Sequence, residues 1–294
     1  MISSRIISTA AATFIVAAVV LPIDASAQGN GRGRPKGAKN TTTTTQPLQG
    51  APVAPTVSFR QFGSWLDDAS APTPGEGRMG IGIGHWRMVG ASQTNIPMID
   101  VGYGLTNRVQ VSASVPFYRT TYEGTTSRGL DDMYLSGKFT AIDPASNDAQ
   151  FGVAVSPVLE VLSSGAPDGR LHFAVPVSFE MRRAPYRVYG SAGYFSRGSL
   201  FTGAAFEWAM SSGFMLTSAL TQSYSTKDDP LSDQLGVGKQ RMDVTAGVAY
   251  PLADIAAAYV SVGRSLTSLD EGGTSLSIAG GISFRFAGRT TATP

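Results

Sequence analysis

The sequence contains no cysteine, only two histidines and a small share of charged residues. The absence of cysteine excludes disulfide bridges, thiolate metal sites, cysteine nucleophiles and an N-terminal lipidated cysteine. His85 and His172 are too few for a histidine-rich metal site. Charged residues make up 15% of the 294 residues and hydrophobic residues 42%, whereas globular domains carry about 25% charge. The chain is therefore apolar enough to fold, but it has few charges to present to water.

No apolar run reaches the roughly 20 residues that a transmembrane helix needs. The longest run, residues 6–21, is interrupted by three serine or threonine residues. It follows Arg5 and precedes a small-x-small site that ends at Ala27. This order of charged, apolar and small residues is typical of an export signal, so we predict that residues 1–27 are a signal peptide cleaved after Ala27.

Residues 28–55 are rich in glycine, threonine and proline, which predicts a disordered basic linker. Residues 1–50 carry a net charge of +4 and the remainder carries −2. Arg32 to Pro35 (Arg-Gly-Arg-Pro) matches the core of an AT-hook, which binds the minor groove of DNA. An exported chain does not meet the chromosome, so we predict no nucleic-acid partner and interpret the linker as a flexible tether.

From residue 78 onward, apolar and polar side chains alternate with the two-residue period of β-strands. No helical spacing of comparable length competes with it. We predict twelve strands, near residues 78–87, 96–103, 109–119, 130–141, 151–161, 171–181, 187–195, 200–209, 214–225, 241–250, 255–265 and 275–286.

Strands of about ten residues suit a tilted bilayer crossing better than a soluble sandwich. Their polar faces carry mostly serine, threonine, glycine and alanine, as barrel lumens do. We predict an all-β fold, a transmembrane antiparallel up-and-down β-barrel over residues 78–286. Residues 56–77 would be a periplasmic or lumen segment, and residues 287–294 a disordered tail.

An even strand number places both chain ends in the periplasm. The longest predicted connections, 120–129, 162–170, 226–240 and 266–274, then lie outside the cell. The isolated charged residues on the polar faces are predicted to line the lumen: Asp100, Lys138, Glu160, His172, Glu180, Arg187, Glu207, Arg241, Asp243 and Arg285. We expect carboxylates among them to lie near basic side chains, because an unpaired charge in a confined site is costly.

Other features are predicted to be structural. Aromatic residues near strand ends suggest an interfacial girdle, with stacking on an aromatic substrate as the alternative: Trp86, Tyr103, Tyr118, Tyr194, Trp208 and Tyr250. Prolines suggest bulges or a lateral exit: Pro97, Pro116, Pro157 and Pro176. We expect Gly80, Gly82 and Gly84 to pack against the N-terminal segment.

Three pairs of adjacent aspartates are predicted to be solvated turn residues: Asp67-Asp68, Asp131-Asp132 and Asp228-Asp229. We predict no catalytic site, metal or cofactor, since neither a Gly-x-Ser-x-Gly elbow nor a phosphate loop is present.

Three stretches resemble the MetA-pathway of phenol degradation family: residues 104–110 (Gly-Leu-Thr-Asn-Arg-Val-Gln), 115–118 (Val-Pro-Phe-Tyr) and 129–139 (Gly-Leu-Asp-Asp-Met-Tyr-Leu-Ser-Gly-Lys-Phe). The resemblance covers about residues 75–286, although Asp131 replaces a usual glycine and Phe139 a common tyrosine. Its members are exported β-barrels often labelled transporters, with no established catalytic residues. The resemblance implies passive passage of small hydrophobic or aromatic molecules. A structural or surface-exposed protein with a closed lumen is the alternative.

The last strand ends in Phe284-Arg285-Phe286, which resembles the C-terminal signal read by the barrel assembly machinery. We expect this strand to pair with the first, because an open edge leaves backbone groups unpaired in hydrocarbon. The predicted location is the outer membrane of a Gram-negative bacterium. The predicted partners of this monomer are outer-membrane lipid and lipopolysaccharide, the assembly machinery and a small hydrophobic solute.

Overall fold

The computed structural model describes residues 64–147, 150–166, 169–227 and 238–287. The predicted signal peptide, the linker, residues 56–63, Asp228-Asp229 and residues 288–294 lie outside these ranges. No described helix is long and apolar enough to cross a membrane. The described elements are β1 (Glu76–Met88), β2 (Ala91–Gly104), β3 (Val109–Tyr122), β4 (Thr125–Leu130), β5 (Met133–Ile142), β6 (Phe151–Val155), β7 (Val158–Ala166), β8 (Gly169–Ala174), β9 (Val177–Arg183), β10 (Tyr186–Phe195), β11 (Ser199–Ala209), β12 (Met215–Ser225), β13 (Gln240–Ala253), β14 (Ala256–Ser265), a 3-10 turn (Leu269–Glu271) and β15 (Leu276–Ala287).

The sheet closes on itself because β1 pairs with β15. The antiparallel register runs from Glu76 opposite Ala287 to Arg87 opposite Leu276. β4 and β5, β6 and β7, and β8 and β9 are the halves of three interrupted strands, so the described strands cross the barrel twelve times. The prediction of a closed all-β barrel of twelve antiparallel strands is confirmed. β1 begins two residues before the predicted start at residue 78, and β15 extends one residue beyond 286.

Prolines and one acidic pair account for the interrupted strands. Pro157 separates β6 from β7, and Pro176 separates β8 from β9, because proline lacks the N–H that the ladder requires. An Asp-Asp pair separates β4 from β5, and the N–H of its first residue, Asp131, donates to the Pro116 carbonyl at 2.9 Å. A register shift marks Pro97 in β2. The wall thus stays continuous across each irregularity.

We call the end of the barrel with Glu76 and Ala287 the lower end, and the opposite end the upper end. Two upper connections are shorter than the sequence predicts. Glu123 and Gly124, with φ of 47° and 81°, alone join β3 to β4, so the predicted loop 120–129 is wrong. β7 and β8 likewise extend into the predicted loop 162–170. The reason is that side chains on both faces become polar near the upper end, so the alternation disappears while the hydrogen-bonded ladder continues.

The outer face of the wall is apolar and its inner face is polar. On β8, Leu171 and Phe173 are 65% and 64% exposed, whereas His172 between them is buried. Exposed apolar side chains recur around the barrel, among them Ile81, Val111, Phe117, Leu135, Leu159, Leu200, Phe206, Leu216, Val244, Val260 and Ile278. A continuous exposed apolar surface of this kind is typical of contact with lipid.

Candidate functional site inside the barrel

A short segment that precedes β1 lies inside the barrel. This inner segment, residues 64–70, buries Trp65 and Leu66 to 1% and 3% exposure. The Trp65 ring packs against the Tyr134 ring, with 5.8 Å between their centroids, and Leu66 packs with Tyr189. The other cluster members are Val158, Ala174, Phe195 and Phe201 around Trp65, and Ala205 and Ala219 around Leu66. The two apolar clusters of the interior therefore form around the inner segment.

Two basic side chains of the wall hold Asp68 of the inner segment. The Lys138 Nζ atom, on β5, donates to Oδ1 of Asp67 at 2.9 Å and to Oδ1 of Asp68 at 2.8 Å. Arg187, on β10, forms a further ion pair with Asp68. We call Asp68, Lys138 and Arg187 the Asp68 latch. The sequence interpretation of Asp67 and Asp68 as solvated turn residues is wrong, since both are held by the wall.

Electrostatics favour the charged form of Asp68. Burial alone would raise the pKa of its carboxyl, because a buried anion loses its hydration. The positive charges of Lys138 and Arg187 outweigh this effect and hold the Asp68 pKa well below its usual range. The latch therefore carries its full set of charges at neutral pH.

Two glutamates of the wall complete the arrangement. Arg187 donates from Nε to Glu180 at 2.8 Å and from Nη1 to Glu207 at 3.0 Å. Glu180 also accepts from the Ser70 hydroxyl at 2.5 Å and from the Ala69 N–H at 3.2 Å. Glu180 and Glu207 are almost fully buried, which is tolerable because each carboxylate has a basic partner. Four of the predicted lumen residues thus meet at one place: Lys138, Glu180, Arg187 and Glu207.

The backbone of the inner segment is bonded to the wall as well. The Ser191 hydroxyl donates to the Trp65 carbonyl at 2.6 Å and accepts from the Asp67 N–H at 3.2 Å. The Thr140 hydroxyl donates to the Ala69 carbonyl at 2.9 Å. Because the segment lacks regular secondary structure, these wall hydroxyls replace the partners that a strand would provide.

Glu160 and His172, two further predicted lumen residues, lie opposite each other on β7 and β8. Glu160 accepts from the Tyr134 hydroxyl at 3.0 Å and lies 3.4 Å from Arg197 Nε. The His172 ring approaches the Gly169 carbonyl at 3.3 Å. This group borders the Trp65 cluster through Tyr134.

Arg241 and Asp243 form a separate ion pair at the upper end of β13, with 2.7 Å between Nε and Oδ2. Arg241 also donates to the Gly272 carbonyl at 3.1 Å, and Asp243 accepts from Ser265 at 2.5 Å. The pair therefore fixes the upper connection between β14 and β15 and does not join the latch.

A cavity of about 460 Å³ lies between the inner segment and the wall formed by β1, β2, β3, β5, β14 and β15. Near its lower end, Arg78 and Arg285 are opposite each other in register, and Asp100 lines the wall beside them. Near its upper end, the amides of Gln93 and Asn95 each donate to Asp131 at 2.8 Å. The cavity therefore extends along most of the height of β1.

Glycines shape the middle of this cavity. Tyr259 lies across two of them, because a Cβ on Gly82 or Gly281 would approach its hydroxyl to 2.6 or 2.8 Å. A Cβ on Gly84 would lie 3.2 Å from the Met98 sulfur. Within the described residues, the expectation that these β1 glycines pack against the N-terminal segment is not met. They make room for side chains of the neighbouring wall strands.

The aromatic residues at strand ends divide between the two faces. Tyr103, Tyr194, Trp208 and Tyr250 are exposed on the outer face, 36–44% of each side chain being accessible. Trp86 instead lines the cavity, so the girdle prediction is wrong for this residue. Tyr118 pairs with the buried, cavity-lining Asn95 and shares its inward direction.

The sequence interpretation missed four interior residues: Arg78, Tyr134, Arg197 and Tyr259. Three of them lie on strands at positions whose alternation phase is inward, which is a signal that the sequence contains. Arg197 lies in the connection between β10 and β11, where no periodicity indicates direction.

Solved outer-membrane proteins share this fold. No protein-family model and no curated protein matches the chain in sequence. An outer membrane channel from Pseudomonas putida F1, described as COG4313, is similar with a TM-score of 0.57 and 12% identity, over 74% of this chain and 98% of that one. The NanC porin has a TM-score of 0.51 and 12% identity, over 70% and 98% of the two chains. The KdgM porin, solved with disordered oligogalacturonate, has a TM-score of 0.51 and 11% identity, over 70% and 99%. The chain therefore has the barrel fold of outer-membrane porins and channels.

Proposed function

We propose that the protein is an outer-membrane channel through which small hydrophobic or aromatic molecules diffuse passively. The observation that carries this proposal is the cavity beside the inner segment, which runs along the wall of a closed barrel. Its volume of about 460 Å³ suits one small molecule, since small-molecule pockets measure roughly 300–1,000 Å³. Met98, Trp86 and Tyr259 provide apolar contacts, whereas the charges are concentrated towards the two ends.

A further observation favours a channel over a permanently closed barrel. The hydroxyls of Ser156, Ser178 and Thr221 are buried in the barrel interior without a hydrogen-bond partner in the described part of the chain. A wall built only to pack this segment would carry apolar side chains there, because a buried unpaired hydroxyl is costly. Hydroxyls suit a wall that is exposed to water when the segment is released.

We propose the location and the family on the same basis. The apolar outer face suits an outer membrane of a Gram-negative bacterium, reached after cleavage at Ala27, and the protein would act there as a monomer. We propose membership of the MetA-pathway of phenol degradation family on the sequence resemblance alone, and the stretch Gly129–Phe139 that carries it contains the latch residue Lys138. Recovery of mature protein in the soluble periplasmic fraction would contradict the location.

The competing function is a structural or surface protein with a closed lumen. The buried ion pairs of the inner segment favour it, because they hold a piece of chain inside the lumen, at the edge of the cavity. An enzymatic role has little support. His85 lies on the outer face beside Thr94, away from the cavity, and the described residues include no group of three or more acidic and histidine side chains that could hold a metal.

Conductance across planar bilayers separates the two functions. We expect refolded protein to form small, stable conductance steps, and proteoliposomes to take up a small aromatic solute faster than a hexose of similar mass. A protein that inserts into bilayers and shows neither conductance nor uptake has the closed lumen.

A further inference from the structure

The outer face of β1 to β4 carries a basic patch near the upper end. Strand pairing aligns four outward residues in one row: His85 on β1, Thr94 on β2, Arg119 on β3 and Arg128 on β4. The next row towards the upper end contains Arg87, Ser92, Thr121 and Thr126. We call these eight residues the arginine patch. All of its charged or hydroxyl-bearing side chains can donate hydrogen bonds.

The outward direction of the patch follows from its neighbours. Residues one position away face inward, since Asn95 is 1% exposed and lines the cavity. Residues two positions below Arg119 and Arg128, namely Phe117 and Leu130, are exposed apolar side chains. His85 Nδ1 and Thr94 Oγ1 lie 2.9 Å apart, which confirms that paired residues share one face.

The arginines of the patch have no partner among the residues that the structure describes. Arg87, Arg119 and Arg128 are exposed, and no hydrogen bond or ion pair joins their side chains to any residue that the structure describes. Arg119 and Arg128 are direct cross-strand partners, an arrangement that is unfavourable for like charges. Glu123, on the adjoining turn, is the one acid within residues 84–94 and 117–130, and it pairs with neither arginine. The patch thus places two like charges, Arg119 and Arg128, side by side, and the N–H donors of its arginines have no acceptor among the described residues.

The height of the patch on the wall indicates what meets it. The exposed apolar residues directly below it, Ile83, Ile96, Phe117 and Leu130, belong to the lipid-facing surface. The patch therefore lies where hydrocarbon gives way to headgroups, at the barrel end opposite both Glu76 and Ala287. With both chain ends in the periplasm, as the even strand number predicts, this is the outer leaflet.

We propose that the arginine patch binds the phosphate groups of a phosphorylated glycolipid in the outer leaflet. Guanidinium groups bind phosphate oxygens through two parallel hydrogen bonds, and neighbouring hydroxyls supply further donors. A phosphate between Arg119 and Arg128 converts their repulsion into two attractive contacts. This inference rests on the proposed outer-membrane location but not on the passage of any solute.

Native mass spectrometry of the detergent-purified barrel tests this proposal with two probes, diphosphoryl lipid A and the same lipid after phosphatase treatment. We expect lipid A to bind and the dephosphorylated lipid to bind weakly. The double variant Arg119→Gln/Arg128→Gln should weaken lipid A binding roughly 30-fold, because each arginine near an anionic surface contributes about a fivefold gain in affinity.

A matched control removes two exposed arginines at the lower end, Arg108→Gln/Arg183→Gln. We expect this variant to bind lipid A like the wild type. Heat-modifiable migration and unchanged conductance verify that both variants are folded, which separates loss of lipid binding from loss of the barrel or channel. The proposal would be overturned if the wild type bound both lipids equally or if both variants lost lipid A binding equally. It would also be overturned if the wild type were a dimer and the patch variant a monomer. The last result would identify a second copy of the chain as the occupant.

Discussion

The Asp68 latch makes the position of the inner segment sensitive to one carboxylate, so Asp68→Asn is the sharpest perturbation available. Asn keeps the size of the side chain but removes its charge, which lies 2.8 Å from Lys138 and pairs with Arg187. Loss of one partner from a buried ion pair costs about 3–5 kcal/mol when the other partner is left alone.

The cost is smaller here because neither base is left alone. Lys138 keeps Asp67 at 2.9 Å, and Arg187 keeps Glu180 and Glu207 at 2.8 and 3.0 Å. We therefore expect a loss of about 2 kcal/mol, less than the full cost of breaking such a pair. This corresponds to about a 30-fold shift of the inner segment from the seated to the released state.

Two measurements follow that shift. The chain has no cysteine, so Ser64→Cys introduces a single thiol at a position that is 5% exposed. Its labelling by a membrane-impermeant maleimide should accelerate about 30-fold in the Asp68→Asn background, in proportion to the released population. Single-channel recordings should show a larger conductance for a longer fraction of time.

Glu76→Gln is the matched control. Glu76 lies 3.6 Å from Arg78 in a partly exposed pair just after the inner segment, and such pairs contribute about 0–1 kcal/mol. It should label like the wild type. Unchanged labelling and conductance in Asp68→Asn would refute the reasoning, because the segment would then be held by its apolar contacts alone.

Three further outcomes are expected. Wild-type conductance should be constant from about pH 8 to pH 4, because the pKa of Asp68 in the folded protein lies below its ordinary value of 3.8. The latch contributes its full stabilisation above that ordinary value and loses it only as the pH falls towards the lowered pKa. Opening of the channel in mild acid would contradict this assignment. Cysteines at Ile81 and Ile282, which are register partners, should crosslink β1 to β15 in membranes, and crosslinking of either one to another strand instead would contradict the closure. Replacing Phe284 and Phe286 with serine should abolish assembly into the heat-modifiable form, because the closing strand loses its lipid-facing aromatics, whereas deletion of residues 288–294 should leave assembly unchanged.

Much of the fold could be predicted from the sequence because strand alternation is a local signal. Leu171 and Phe173 on one face and His172 on the other require no knowledge of distant residues. The same phase identified Glu180 and Arg187 as interior residues. The direction of a side chain could not be predicted where the alternation is weak. Trp86, which follows a stretch of alternate glycines on β1, is one such residue.

The latch could not be predicted, because its contacts join residues that are distant in sequence. Asp68 is 70 residues from Lys138 and 119 residues from Arg187. Two adjacent aspartates in a short irregular stretch also have the composition of a solvated turn. Only the closed barrel brings these charges together, so no local pattern distinguishes a buried latch from a surface loop.

The position of the inner segment in the chain sets an order of events during biogenesis. The segment directly precedes β1, yet its binding site is divided among β5, β9, β10 and β11, which emerge later in the chain. It cannot make all of its contacts until Arg187 on β10 is in place, so it depends on strands that follow it in the chain. Once seated, the segment bridges β5 to β9 and β10 from within. If the barrel closed with the segment left outside, Lys138 and Arg187 would be enclosed without Asp68. Such a barrel would be less stable than the native one, because its interior would lack a compensating negative charge.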